Sequence, residues 1–282
     1  DDESLWKGRN LHDLYAEAHT PWEWHSEIFA RAKKHGMLAF STPFDDTAIE
    51  FLEGLEVPCY KIASFENTDL PLIERAAATG KPLIISTGMA TIAELEECVD
   101  TARGAGCEHL ILLKCTSTYP ATPEDSNLVT IPDMRERFDC QIGLSDDTMG
   151  CGVAVASVAF GASVIEKHFT DDNNREGPDH AFAMNPQTWS EMVTTTRQLE
   201  RALGSGNKRV TANEQQTVVV QRRCLRAARD IIPGEVLARD MIDVLRPATP
   251  GAIPPYEIDR VVGTHALLPI ESGQELRWTM LG

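Results

Sequence analysis

Short apolar runs alternate with longer amphipathic stretches along the first two thirds of this chain. Six runs stand out: MLAFSTP (37–43), CYKIAS (59–64), PLIIST (82–87), LILLKCT (110–116), QIGLSD (141–146) and VIEKHF (164–169). A run that is apolar along its length suits a parallel strand buried on both faces. Successive run ends lie roughly 22 to 30 residues apart, the length of one strand and one returning helix. Each run finishes in small polar or ionisable residues, at the strand end where α/β sheets and barrels place their chemistry. The pattern therefore predicts one rim carrying Thr42, Lys61, Ser64, Ser86, Thr116, Ser145, Asp146 and His168.

The intervening stretches carry helix signals. Thr20-Pro21-Trp22-Glu23 predicts a start, with Thr20 as N-cap and Glu23 closing a capping box. Thr91 and Glu94 predict a second box, Asp69 with Pro71 a third start, and Asn185-Pro186 a long helix through Leu203. Alternating strands and helices predict an α/β fold with helices outside a parallel sheet. The pattern changes near Gly204. Residues 1–203 form the predicted α/β domain, 204–216 a linker, and 217–282 a small, mostly β domain. Runs at 217–220, 225–228 and 266–270 supply its β signals, separated by turn pairs such as Pro233-Gly234 and Ser272-Gly273.

Charge narrows the choice of partner. Forty-three acidic and 26 basic residues give a net charge of −17, which argues against binding nucleic acid or an anionic membrane surface. A solvated acidic face, or adaptation to a salt-rich cytoplasm, accounts for that excess. No apolar stretch is long enough to span a membrane. The seven cysteines form no Cys-x-x-Cys pair. They predict a reduced, cytoplasmic protein rather than a disulfide framework.

Several segments together carry a resemblance. They are HTPWEWH (19–25), FSTPFD (40–45), YKIASFENTDLPLI (60–73), ISTGMA (85–90), KCTSTYPA (114–121), GLSDDTMG (143–150), IEKHFT (165–170), GPDHAFAMNP (177–186) and GEVLARDMIDVLRP (234–247). In these the chain resembles the sialic acid synthase family over nearly its whole length. HTPWEWH and SFENTDLP are more similar to its pseudaminic branch than to the neuraminic or legionaminic ones. The resemblance implies condensation of phosphoenolpyruvate with an amino sugar, here a 2,4-diacetamido-2,4,6-trideoxy hexose. It implies a (β/α) TIM-type barrel followed by a C-terminal antifreeze-like (SAF, β-clip) domain. Two departures stand out. The first two strand–helix units of the family barrel are not found, so six strands are expected where closure needs eight. Asp147 stands where the family has a metal-binding histidine.

Roles follow from the resemblance residue by residue. Lys61, Ser64, Ser86 and Ser145 correspond to phosphoenolpyruvate contacts, with Thr42 beside them. A lone Ser or Thr at a strand end usually satisfies local backbone groups. Several converging with a lysine point instead to an anionic ligand. Asp147 and His168 are the implied ligands of a divalent metal, Mn²⁺ or Mg²⁺. Glu66 corresponds to an acid/base carboxylate, and Ser117, Tyr119 and Asp179 to sugar contacts. Lys167 is expected to point away from His168. Arg246 matches a residue that closes over the other subunit's barrel in a domain-swapped homodimer. The competing readings are a neuraminate or legionaminate synthase, and a catalytically dead chain that keeps the dimerisation surface.

Overall fold

The computed structural model describes residues 10–282, which divide into two compact units between Ser205 and Gly206. In the first unit the apolar runs become β1 (Tyr60–Ile62), β2 (Leu83–Ser86), β3 (Leu110–Cys115), β4 (Gln141–Ser145) and β5 (Ile165–Glu166). They pair in chain order, every pair parallel, as a curled five-stranded half-barrel. Between them lie α4 (Leu70–Ala77), α5 (Ile92–Gly104), α6 (Thr130–Phe138) and α7 (Gly152–Ala159), with α8 (Pro186–Leu203) after β5. Before β1 come α1 (Leu11–Ala18), α2 (Trp22–Lys34) and α3 (Asp46–Gly54).

Strand alternation sorts the side chains into two sets. Tyr60, Ile62, Leu83, Ile85, Leu112 and Ile142 are buried with Ile73, Ala76, Cys98, Ala102 and Ile131 of the helices. Each large side chain so buried contributes about 1.5–3 kcal/mol. The in-register partners Cys115, Ser145 and Glu166 belong to the other, concave face. On that face Gly143 is required by close approach. A Cβ there would lie 2.6 Å from the Val164 carbonyl oxygen and 2.6 Å from Leu113 Cδ2. Gly143→Ala is expected to lower stability by about 1–3 kcal/mol through overpacking, measured by denaturant unfolding; an unchanged midpoint would refute the packing argument.

Several expectations are corrected. Run 37–43 is not a strand, so the sheet has five strands rather than six. Leu38 is 80% exposed, and the backbone link from this run to β1 is Lys61 N–H to Ser41 O at 3.5 Å. Among the described residues the run forms no strand ladder, and Met37, Leu38 and Phe40 stay exposed. The expected incomplete barrel is met in its parallel, curled sheet, which forms a half-barrel among the described residues. The Thr20 cap does not form: α2 has Pro21 at its N-cap position and no side-chain cap, because the helix starts one residue too late for the Thr20 hydroxyl. The Thr91–Glu94 box and the Asp69 and Asn185 caps are present.

In the second unit, run 217–220 lies in a helix, α9 (Gln215–Gln221). A Thr211–Glu214 capping box starts a 3-10 turn (Ala212–Glu214) that leads into it. The antiparallel pair β6 (Cys224–Ala227) and β7 (Ile242–Leu245), isolated bridges such as Ile231 with Ile270, and a short helix, α10 (Ile258–Val261), complete the unit. Leu225, Ile231, Leu237, Val261 and Leu276 give it a core of its own. No helix among the described residues is long and apolar enough to cross a membrane.

Candidate active site

The concave face and the loops beyond the strand ends enclose a cavity of about 320 Å³. Thr42, Lys61, Ser64, Ser86, Tyr119, Ser145, Asp147 and His168 line it. Of the rim residues expected from the sequence, Thr116 and Asp146 turn the other way. Thr116 Oγ donates to Asp125 O and accepts from Lys114, while Asp146 pairs with Lys167. Alternation places them one residue out of phase with Cys115 and Ser145.

One half of the cavity is cationic and hydroxyl-rich. Lys61 Nζ donates to Ser86 Oγ at 2.7 Å and to Ile62 O at 3.1 Å, and lies 3.6 Å from Glu166 Oε1. Ser145 donates to the same Glu166 oxygen at 2.7 Å. Gly88 N–H donates to Ser64 Oγ, and Asn67 Nδ2 holds the Ser86 and Gly88 carbonyls. A buried ammonium is costly without an anionic partner. Here its partners are two neutral oxygens and one half-exposed carboxylate, an arrangement that favours an incoming anion.

The other half is built on His168, in the loop after β5. Its Nε2 lies 3.4 Å from Asp147 Oδ1, and its Nδ1 3.6 Å from Asp179 Oδ2. Phe182 and Tyr119 pack edge-on to the ring at 5.1 and 5.9 Å. The Asp147 hydrogen bond raises the His168 pKa above 6.5 against the opposing effect of burial, and Asp179 reinforces it. Burial, with Asp147 next, pushes the Tyr119 phenol up to about 12.

A raised folded-state pKa means that His168 adds stability below the ordinary histidine value, and that this is lost as pH rises through its own pKa. In metal-free protein, the NMR titration midpoint of His168 is expected above 6.5 and should fall in Asp147→Asn. A wild-type midpoint at or below that value would refute the pairing.

Asp147 and His168 together suit a hard or borderline divalent ion, offering one carboxylate and one imidazole. Asp179 is placed to orient the ring from its second nitrogen. Among the described residues no third His, Cys, Asp or Glu completes a set of three. Further ligands would have to be water or substrate oxygens.

The remaining expected residues lie outside the lining. Ser117 Oγ contacts Cys115 Sγ at 3.6 Å. Glu66 sits in a 3-10 turn (Ser64–Glu66), and its Oε2 is buried without a partner. Burial, and then Asp69, raise its pKa. Arg246, in the second unit, is exposed and donates to Gln221 O. Glu166 and Cys115 line the cavity but were not expected to. The signal was available: Glu166 stands two residues before His168, on the same face of an extended segment.

A NeuB family model matches residues 1–208, and a SAF domain model matches residues 222–282. A Helicobacter pylori protein named pseudaminic acid synthase is 41% identical over 244 residues, 86% of this chain and 72% of that protein. A Campylobacter jejuni N,N'-diacetyllegionaminic acid synthase is 38% identical over 226 residues, 79% of this chain and 68% of that protein. Among solved structures, an N-acetylneuraminic acid synthetase from Leptospira borgpetersenii, in complex with citrate, superposes with a TM-score of 0.69 at 32% identity, covering 75% of each chain.

Proposed function

This chain belongs to the NeuB family, and we propose that it condenses phosphoenolpyruvate with a 2,4-diacetamido-2,4,6-trideoxy hexose to give pseudaminic acid and phosphate. The observation that carries the reading is that the Lys61–Ser86 pair and the Asp147–His168 pair line one cavity. The first pair, with Ser64 and Ser145, supplies donors for the phosphate and carboxylate of phosphoenolpyruvate. Carbon 3 of phosphoenolpyruvate must attack the sugar aldehyde. Asp147 and His168 would hold Mn²⁺ or Mg²⁺, whose chemistry when bound is Lewis-acid polarisation of a carbonyl oxygen. Tyr119 lines the cavity and would orient the sugar; Ser117 and Asp179, the other sugar contacts the family likeness implies, lie just outside its lining. Water then adds at carbon 2 and phosphate departs. The raised pKa of Glu66 suits the proton transfers of that step.

Relatives named for different sugars are nearly equally similar to this chain. Phosphate release and product mass, measured with phosphoenolpyruvate and each of the three candidate sugars, test the choice of sugar. Turnover is expected with the trideoxy diacetamido hexose. Preference for the neuraminate or legionaminate precursor would change the substrate, and no phosphate with any of them would overturn the reading. We extend the proposal to a homodimer in the cytoplasm, where all seven cysteines stay free. In it Arg246 would close over the other subunit's substrate. Arg246→Ala is then expected to raise KM for the sugar, not for phosphoenolpyruvate.

A further inference from the structure

Behind the rim, on the helix-facing side of the sheet, lies a charged pair that the proposed reaction does not use. Lys167 Nζ and Asp146 Oδ2 are 2.8 Å apart, and both side chains are 1% exposed. Lys167 also donates to Thr148 O at 2.8 Å. Asp146 Oδ1 accepts from Thr148 N at 3.0 Å and Thr148 Oγ at 2.7 Å.

The position of this pair in the register gives it meaning. Ser145 is opposite Glu166 at the end of the ladder, and both line the cavity. Asp146 and Lys167 come next on their two chains; Lys167 borders the cavity, but its side chain is turned away from it onto Asp146 and Thr148. Asp147 and His168 follow, facing in again. β5 ends at Glu166, so no strand ladder joins Asp147 to His168. Their carbonyls are held separately, Asp147 O by Ala121 N and His168 O by Met184 N. The last cross-links between the two chain ends before the cavity pair are the Asp146 N–H to Glu166 O bond and the Lys167–Asp146 ion pair.

Stability alone does not call for such a pair. Apolar side chains of similar volume generally do as well or better than a buried ion pair. What the pair adds is direction: two charged groups in a dry site have a single good arrangement.

We propose that Lys167 and Asp146 are positioning residues that fix the separation of Asp147 and His168. The catalytic consequence rests on the proposed function; the positioning itself does not. The test is the double variant Asp146→Asn/Lys167→Met. Asn keeps an acceptor for Thr148, and no buried charge is left unpaired. Two readouts are taken on folded protein with an unchanged melting temperature. Modification of His168 by diethyl pyrocarbonate, followed by peptide mass in metal-free protein, is expected to speed up about fivefold as the loop end loosens. With substrates, kcat is expected to fall about 100-fold while KM for phosphoenolpyruvate stays unchanged.

A wild-type rate of His168 modification would overturn the proposal. Faster modification in a protein whose wild type makes no product would uphold the positioning and reject the proposed function instead. If the double variant does not fold, Asp146→Asn alone keeps the acceptor for Thr148 while its amide N–H faces Lys167 in place of Oδ2, and with the ion pair gone the modification rate is expected to rise about threefold. No rise would overturn the proposal equally.

Discussion

Replacing His168 with alanine is expected to abolish phosphoenolpyruvate-dependent synthesis, with kcat/KM falling by about 10³-fold or more, while the protein stays folded. The ring belongs to none of the buried hydrophobic clusters, and its side chain is 37% exposed, so its loss leaves the sheet and its helices packed as before. What disappears is the nitrogen facing Asp147 and the ring that fills the space beside Tyr119 and Phe182. Asp147→His is the companion experiment. It replaces the carboxylate with the imidazole that the family pattern carries at this position, and it should keep or raise activity. Circular dichroism and thermal melting establish folding; phosphate release at varied Mn²⁺ reads function. Activity surviving in His168→Ala would remove this residue from the reacting centre. Activity lost in Asp147→His, with folding intact, would give Asp147 another role and defeat the metal assignment.

The parts of the fold legible in the sequence are those governed by short-range rules. The strands at 83–86, 110–115 and 141–145 were visible because both of their neighbours are strands of the same sheet, so the apolar run and the burial coincide; the edge strand at 60–62 was visible because all three of its residues are buried although it pairs on one side only. The Thr91–Glu94 box and the Asp69 and Asn185 caps were visible because capping is local. Run 37–43 misled because strand formation depends on a partner, and composition does not show whether one is there. The 217–220 run misled because its valines fit either state, and the Thr211 capping box six residues earlier decided for a helix.

The same division runs through the cavity. Lys61, Ser86, Ser145 and His168 were found from the polar ends of runs, whereas Thr116 and Asp146 needed the alternation phase as well as the position. Asn67 left no signal at all. Its work is to bond the carbonyls of Ser86 and Gly88 on another loop, a tertiary contact with no local signature. The buried Lys167–Asp146 pair was half visible: alternation placed Lys167 away from His168, but only the register of β4 and β5 brings it to Asp146.

Lys61→Met is expected to move activity and stability in opposite directions. In the free protein the ammonium is buried, and its neighbours are Ser86 Oγ, Ile62 O and, at 3.6 Å, one Glu166 oxygen. Removing it strands little: Glu166 keeps its bond from Ser145, and its side chain is 40% exposed, so water can solvate it. A methionine of similar length refills the space without a desolvated charge, and such replacements are often neutral or stabilising. The melting temperature should therefore stay level or rise. With phosphoenolpyruvate bound, the same ammonium would face a phosphate or carboxylate in a dry cavity. A hydrogen bond to a charged group contributes about 1.5–3 kcal/mol, so KM for phosphoenolpyruvate should rise about 10- to 150-fold. Lys61→Arg should not rescue it, because a planar fork cannot replace a point charge bonded to Ser86 and Ile62 in the same space. Melting curves and steady-state kinetics on the same preparations decide the matter. A lower melting temperature with an unchanged KM would show that Lys61 serves the fold, and that the anion is held elsewhere.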